Sequence, residues 1–98
     1  MQRPRGGAPD WQSMWPERIV IVTRVGCHLC DQAQATVTRV ATDLGVAYRE
    51  VDVDADLALA GEFGDRVPVV LVDGTEHTYW NVDERRLRQA LAGRRGWL

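Results

Sequence analysis

Short apolar runs alternate with polar or glycine-containing breaks along most of the chain. Residues 18–23 (RIVIVT) form a β-branched apolar run, which is typical of a strand buried on both faces. Apolar side chains then recur at every third or fourth position over residues 33–44, and this spacing predicts an amphipathic helix. Gly45 follows as the kind of residue that commonly ends a helix. The pattern therefore begins with a strand followed by a helix.

The rest of the pattern predicts three more strands and two more helices. Residues 46–53 (VAYREVDV) alternate well enough to form a second strand, and Asp54 or Asp56 can cap the short helix that follows. An Asp-Gly pair separates the last two strands and predicts a hairpin between them. The elements predicted after the second strand are a helix at 57–63, strands at 67–74 and 75–80, and a helix at 82–91 with Leu87, Ala90 and Leu91 facing inward.

This β-α-β-α-β-β-α order predicts an α/β fold. The first two strands are joined through a helix, so we expect them to be parallel with a right-handed crossover. The hairpin adds antiparallel strands. The result is a mixed four-stranded sheet with helices on both faces.

Domain boundaries follow from where the periodic pattern starts and stops. We expect a flexible extension at 1–17, one domain at 18–93 and a tail at 94–98. Trp11 and Trp15 lie in the extension, where they are incidental, pack back onto the domain or mark a contact surface.

The composition indicates one small globular domain and argues against nucleic-acid-binding and membrane proteins. The 98 residues suit one small domain, and a formal net charge of −2 gives no reason to expect a nucleic-acid or membrane partner. No apolar run is long enough to span a bilayer, and the first sixteen residues do not resemble a secretory signal. We interpret the protein as cytoplasmic and monomeric. All twelve basic residues are Arg, which favours a GC-rich bacterial source.

The two cysteines of the chain are three positions apart in TRVGCHLCDQA (23–33), between a buried strand and a helix. At this spacing they share a helix face, with Cα atoms about 5–6 Å apart, so a disulfide can form and break with little backbone movement. Helix N-termini favour a thiolate and can lower a cysteine pKa from about 8.5 to roughly 3.5–7.5. We expect Cys27 to attack and Cys30 to resolve, with Arg24 and His28 adding positive character.

Three other interpretations of the cysteines stay open at this point, and the simplest is that they are ordinary small core residues. A metal site would draw on the cysteine pair with His28 and His77, or on two chains that share zinc or an iron–sulfur cluster. A non-catalytic binding module would keep the same fold with an incidental or regulatory disulfide.

The proline of VPVVLV also has two interpretations. Pro68 is either an ordinary proline at a sheet edge or at the first position of a strand, or it follows a cis Val67–Pro68 bond.

The chain resembles a glutaredoxin-like protein of the thioredoxin-fold superfamily over residues 18–92. The resemblance rests on the cysteine motif after RIVIV, on VDVD at the end of the second strand, on RVPVVLVDG and on a closing helix. It implies a thioredoxin-like fold in which Pro68 follows a cis bond and lies beside the cysteine pair. It also implies that the Val67 backbone pairs with an extended segment of the substrate.

Several positions depart from the usual glutaredoxin pattern. His28 and Leu29 stand where a proline and an aromatic residue are usual, and Arg66 replaces a threonine. The glycine pair and aspartate that hold the γ-glutamyl end of glutathione are replaced within TEHTYWNVDE, where Asn81 and Asp83 are candidate substitutes.

The cysteine motif and the resemblance together predict a thiol–disulfide oxidoreductase. Cys27 and Cys30 would reduce protein or low-molecular-weight disulfides, with Val67, Pro68, Arg66, Arg24 and His28 binding the substrate. Arg66 would contact a carboxylate of a thiol or substrate, or remain a solvated loop residue. We expect no required cofactor or metal. The reductant would be glutathione, an equivalent thiol or a flavoprotein reductase.

Overall fold

The computed structural model describes residues 14–95 and contains four strands and three α-helices within them. Trp11 and the tail residues 96–98 lie outside this range. The elements in chain order are β1 (Ile19–Thr23), α1 (His28–Leu44), β2 (Tyr48–Asp52), a 3₁₀ turn (Val53–Ala55), α2 (Leu57–Phe63), β3 (Val69–Val72), β4 (Thr75–Tyr79) and α3 (Glu84–Arg95).

The strands form one mixed sheet in the order β2-β1-β3-β4. β1 runs parallel to β2, with Thr23 opposite Asp52, and antiparallel to β3. β3 and β4 pair as the hairpin that the Asp-Gly turn predicts. The predicted mixed four-stranded sheet is thereby confirmed.

Each face of the sheet carries its own apolar cluster. Ile19 and Ile21 of β1 pack with α1 and α3 on one face. Val20 and Val22 pack with Leu59 and Phe63 around α2 on the other. Because successive strand residues point to opposite faces, the continuous apolar run of β1 supplies both clusters. The helices therefore cover both faces, as predicted.

Helix boundaries differ from the sequence pattern because caps set them. α1 begins at His28, ahead of its apolar stripe, because Cys27 caps the helix. α3 begins at Glu84 after Asp83, whose carboxylate accepts the Arg86 N–H at 3.2 Å. Side-chain periodicity reports which face is buried, whereas capping fixes where the helix starts.

The last residues before β1 contact the domain. Trp15 packs against the apolar cluster around α2, as Val51 and Val67 also do. Glu17 accepts two hydrogen bonds from the guanidinium of Arg49, at 2.7 and 3.0 Å. Trp15 therefore packs back onto the domain, one of the alternatives that the sequence left open. Across residues 14–95, no helix combines the length and apolar character that a membrane crossing needs.

Candidate functional site

Cys27 is held at the junction between β1 and α1 by local backbone geometry. The preceding Gly26 has a φ of 79°, which glycine adopts without strain. The Cys27 N–H donates to the Arg24 carbonyl at 3.2 Å and closes the turn. Cys27 itself caps the helix, and its sulfur accepts the backbone N–H of Cys30 at 3.1 Å. This N–H and the helix N-terminus both stabilise negative charge on sulfur.

Cys30 lies in the first turn of α1 and faces inward. Its Cα is 5.2 Å from that of Cys27, within the spacing that the sequence predicts, and the two sulfurs are at disulfide-bonding distance. Cys30 is only 2% exposed, whereas Cys27 is half-buried. The structure therefore brings the two sulfurs together and leaves Cys27 the more exposed of the two cysteines.

The Val67–Pro68 peptide bond is cis, as the resemblance implies. Pro68 is buried and its carbonyl accepts the Trp80 N–H at 2.8 Å. Trp80 in turn lines a cleft together with Leu29, the residue between the cysteines. This chain of contacts links the proline, the hairpin end and the cysteine helix.

Arg24 is engaged by a carboxylate of the protein itself. Its guanidinium donates to both Asp54 oxygens, at 2.9 and 3.1 Å, and to the Gly64 carbonyl at 3.3 Å. The bidentate hydrogen bonds raise the pKa of Arg24 and lower the pKa of Asp54. The positive charge predicted beside the cysteines is therefore neutralised locally.

Arg66 is also paired within the chain. It donates to both oxygens of Glu76, at 3.2 and 3.1 Å, and lies 3.2 Å from an Asp65 oxygen. Hydrogen bonding to Glu76 is the main reason that the pKa of Arg66 is raised. Its guanidinium also lies 5.9 Å from the centroid of the Phe63 ring. Of the predicted basic neighbours, His28 is exposed.

A second cleft of about 280 Å³ opens on the Cys30 side of the site. The acids Asp31, Glu50 and Asp52 line it together with Cys30. Glu50 accepts hydrogen bonds from the Thr23 hydroxyl at 2.9 Å and the Gln34 amide at 2.8 Å. The sequence analysis did not single out Glu50. The predicted parallel pairing of β1 and β2 was the available signal, because it brings the end of β2 close to the cysteine segment that follows β1.

Sequence reasoning also missed the backbone at Trp80. Trp80 has a φ of 66°, and the Asn81 N–H donates to the Tyr79 carbonyl at 2.8 Å. This closes a three-residue γ-turn with a positive φ at its centre, a rare and strained conformation. The signal in the sequence was the departure from the usual glycine pair in this region. Asp83, one of the candidate substitutes, is used as the cap of α3.

Within residues 14–95, no group of three or more His, Cys, Asp or Glu side chains is arranged to hold a metal ion.

Sequence comparison gives matches over most of the chain. The profile of the glutaredoxin-like domain family matches residues 18–92. An uncharacterized protein of Mycobacterium tuberculosis, Rv0508, is 41% identical over 80 residues, covering 76% of this chain and 82% of that protein. The Mycobacterium bovis protein Mb0520 matches with the same identity and coverage.

Solved structures share the fold of this chain. The X-ray structure of XcR50 from X. campestris has a TM-score of 0.64 and 36% identity, covering 76% of this chain and 96% of that one. Fasciola hepatica thioredoxin has a TM-score of 0.54 over 76% of this chain and 77% of that one, and its 22% identity shows the fold alone. The chain has a thioredoxin-like fold and belongs to the glutaredoxin-like domain family.

Proposed function

We propose that the protein is a thiol–disulfide oxidoreductase that uses the Cys27–Cys30 pair. The observation that carries the proposal is the asymmetry of the two sulfurs. Cys27 is half-buried and accepts a backbone N–H at a helix N-terminus, whereas Cys30 is buried within bonding distance of it. A thiolate that attacks needs access and stabilised charge, and a resolving thiol needs only proximity.

The proposed reaction exchanges one disulfide for another. The Cys27 thiolate attacks one sulfur of the substrate disulfide and forms a mixed disulfide, and the departing thiolate takes up a proton. Cys30 then loses its proton and attacks the Cys27 sulfur, which releases the second substrate thiol. The substrate gains two electrons and two protons, and the protein is left with the Cys27–Cys30 disulfide.

Reduction of that disulfide completes the cycle. A low-molecular-weight thiol such as glutathione, an equivalent dithiol or a flavoprotein reductase would supply the two electrons. The sulfurs carry the chemistry, so the step needs no metal or organic cofactor. Both cysteines belong to one chain, and a monomer in a reducing compartment such as the cytoplasm would suffice.

Trapping the mixed disulfide tests the proposal. Without Cys30, the first exchange has no resolving thiol, so reduced Cys30→Ser protein should retain one half of a fluorescent peptide disulfide. Non-reducing electrophoresis should show a labelled band that dithiothreitol releases.

Cys27→Ser is the matched control and should retain no label through Cys30, because that sulfur is buried. Equal labelling of the two variants would contradict the assigned order of attack. Absence of label from both would point instead to a scaffold whose disulfide plays no part in turnover.

A further inference from the structure

Residues 24–26 form the short loop that carries the chain from β1 to Cys27. The Arg24 carbonyl accepts the Cys27 N–H at 3.2 Å and closes the turn. Val25 is 86% exposed, and a side chain at Gly26 would meet no heavy atom within 4 Å. Packing therefore does little to fix this loop, and its one long polar side chain, that of Arg24, is left to do so.

The Arg24 guanidinium connects the loop to two other elements. It donates to both carboxylate oxygens of Asp54 in the 3₁₀ turn, at 2.9 and 3.1 Å, and to the Gly64 carbonyl at the end of α2, at 3.3 Å. A planar guanidinium presents its donors in a fixed fork, so bonds to two separate elements define its position and orientation. We call Arg24, Asp54 and Gly64 the Arg24 brace.

Both partners of Arg24 belong to well-packed segments. The Asp54 N–H donates to the Asp52 carboxylate at 2.9 Å, and the preceding Val53 is fully buried. Gly64 directly follows Phe63, which is also buried. Because Val53 and Phe63 both belong to the apolar cluster around α2, the brace ties the cysteine loop to a close-packed part of the domain.

The brace contributes more to local position than to overall stability. The side chains of Arg24 and Asp54 are 41% and 53% exposed, and ion pairs with this exposure stabilise a fold only weakly. The opposite charges lie 2.9 Å apart, so the field of Arg24 at the Cys27 sulfur is largely cancelled. Loss of the brace should therefore leave the domain folded and release the loop.

The Cys27 sulfur needs the loop to be fixed. It accepts the Cys30 N–H at 3.1 Å, and this hydrogen bond depends on the capping conformation of Cys27. The turn that the Arg24 carbonyl closes sets that conformation. Displacement of a reacting group by about 1 Å can slow a reaction about a hundredfold.

We propose that Arg24 is a positioning residue, which through the brace holds the Cys27 sulfur where its thiolate is stabilised. It acts by fixing the backbone of the loop and not by its charge. This role replaces the substrate contact that the sequence predicts for Arg24. The inference rests on the proposed function, for which it names a residue outside the cysteine motif.

The pH dependence of Cys27 alkylation tests the brace. Iodoacetamide reacts with the thiolate, so in reduced Cys30→Ser protein the midpoint of the rate against pH reports how well the Cys27 thiolate is stabilised. Arg24→Met keeps a long side chain but loses every donor, and it should raise the midpoint by about 0.5 pH unit. Arg24→Lys keeps the charge but loses the fork, and it should raise the midpoint by a similar amount.

A double variant separates position from charge. Arg24→Met combined with Asp54→Asn removes one charge of each sign, so the net charge stays that of the wild type. The brace is lost, and we expect the midpoint to stay raised as in Arg24→Met. A midpoint restored to the wild-type value, or an unchanged midpoint in Arg24→Lys, would overturn the proposal, because either result would show that Arg24 acts through its charge.

Arg49→Met is the matched control. Arg49 is 43% exposed and donates two hydrogen bonds to Glu17, at 2.7 and 3.0 Å, but it lies opposite Val20, near the start of β1 and away from Cys27. It should leave the midpoint unchanged. Thermal melts of all variants should stay within a few degrees of the wild type. Arg24→Lys carries the test if Arg24→Met does not fold.

Turnover separates this inference from the proposed function. In the chain with both cysteines, Arg24→Met should reduce a synthetic peptide disulfide about fivefold more slowly than the wild type. Equal midpoints and equal rates in Arg24→Met and the wild type would overturn the brace and leave the oxidoreductase function intact. Failure of the wild type to reduce the peptide would overturn the oxidoreductase function, whatever the alkylation midpoints show.

Discussion

The two cysteines of this chain differ in their exposure to solvent. Cys27 caps α1 from a half-buried position, and Cys30 sits one turn further in with almost no exposed surface. The basic residues predicted beside them show that side-chain type alone does not determine whether a charge is available to a ligand. Arg24 and Arg66 are basic, yet each is held by acids of the same chain. At the residue scale, whether an arginine can bind a ligand depends on whether its guanidinium is already paired with a carboxylate of the chain.

His77 provides a pH test at this scale. Burial and the charge of Arg86 lower the pKa of His77 below its ordinary 6.5, against the weaker opposing effect of Asp83. Its buried Nε2 has no hydrogen-bond partner within the described part of the chain. The folded state therefore binds fewer protons than the unfolded state near pH 6. This contribution to stability is present above pH 6.5 and is lost as pH falls through the lowered folded pKa.

We expect the free energy of unfolding to fall as pH is lowered through this window, and His77→Gln to flatten the decline. Urea denaturation at a series of pH values would measure both. His28→Gln serves as the control, since His28 is the other histidine and is exposed, and it should leave the decline unchanged. A decline that persists in full in His77→Gln would show that other groups cause it.

At the element scale, α1 is the part that arranges the site, and both of its ends are defined by specific residues. Cys27 caps the N-terminus through its sulfur. Gly45 ends the helix with a φ of 66°, and its N–H bonds back to the carbonyls of Ala41 and Thr42. The helix that carries the cysteine pair is thus fixed at its reactive end and at its far end.

Alanine substitution should have opposite effects on stability at two glycines that have similar space around them. A Cβ at Gly45 or Gly61 would meet no heavy atom within 4 Å, so backbone conformation decides each case. Gly45→Ala forces a left-handed φ on alanine and should cost about 1–2 kcal/mol of unfolding free energy. Gly61→Ala lies inside α2 and should add about 0.5–1 kcal/mol. Chemical denaturation of both variants checks the signs, and equal effects would contradict the assigned conformations.

At the scale of the whole molecule, much of the fold could be predicted because its signals are local. The continuous apolar run of β1, the helical stripe of α1 and the Asp-Gly turn each indicate their element without distant information. The positive φ at Trp80 was missed because no glycine marks it, and the only hint was the departure from the usual glycine pair in this region. The pairing of Arg24 with Asp54 spans 30 positions, so only the folded chain brings it about.

The candidate site shows the same contrast between features with a local sequence signal and features that only the folded chain brings together. Local sequence was enough to place Cys27 and Cys30 at a helix start, because capping and spacing are short-range properties. Leu29 and Trp80 come from opposite ends of the domain and share a cleft only once β4 pairs beside β3. The position of the cysteine pair could therefore be predicted from the sequence, whereas the cleft that Leu29 and Trp80 share required the structure.

The most direct measurement is steady-state reduction of a synthetic peptide disulfide with dithiothreitol as the reductant. We expect wild-type protein to turn over many equivalents of the peptide. We expect Cys27→Ser to lose about a hundredfold or more of the rate above uncatalysed exchange. Equal rates for wild type and Cys27→Ser would contradict the central claim that Cys27 attacks the substrate disulfide.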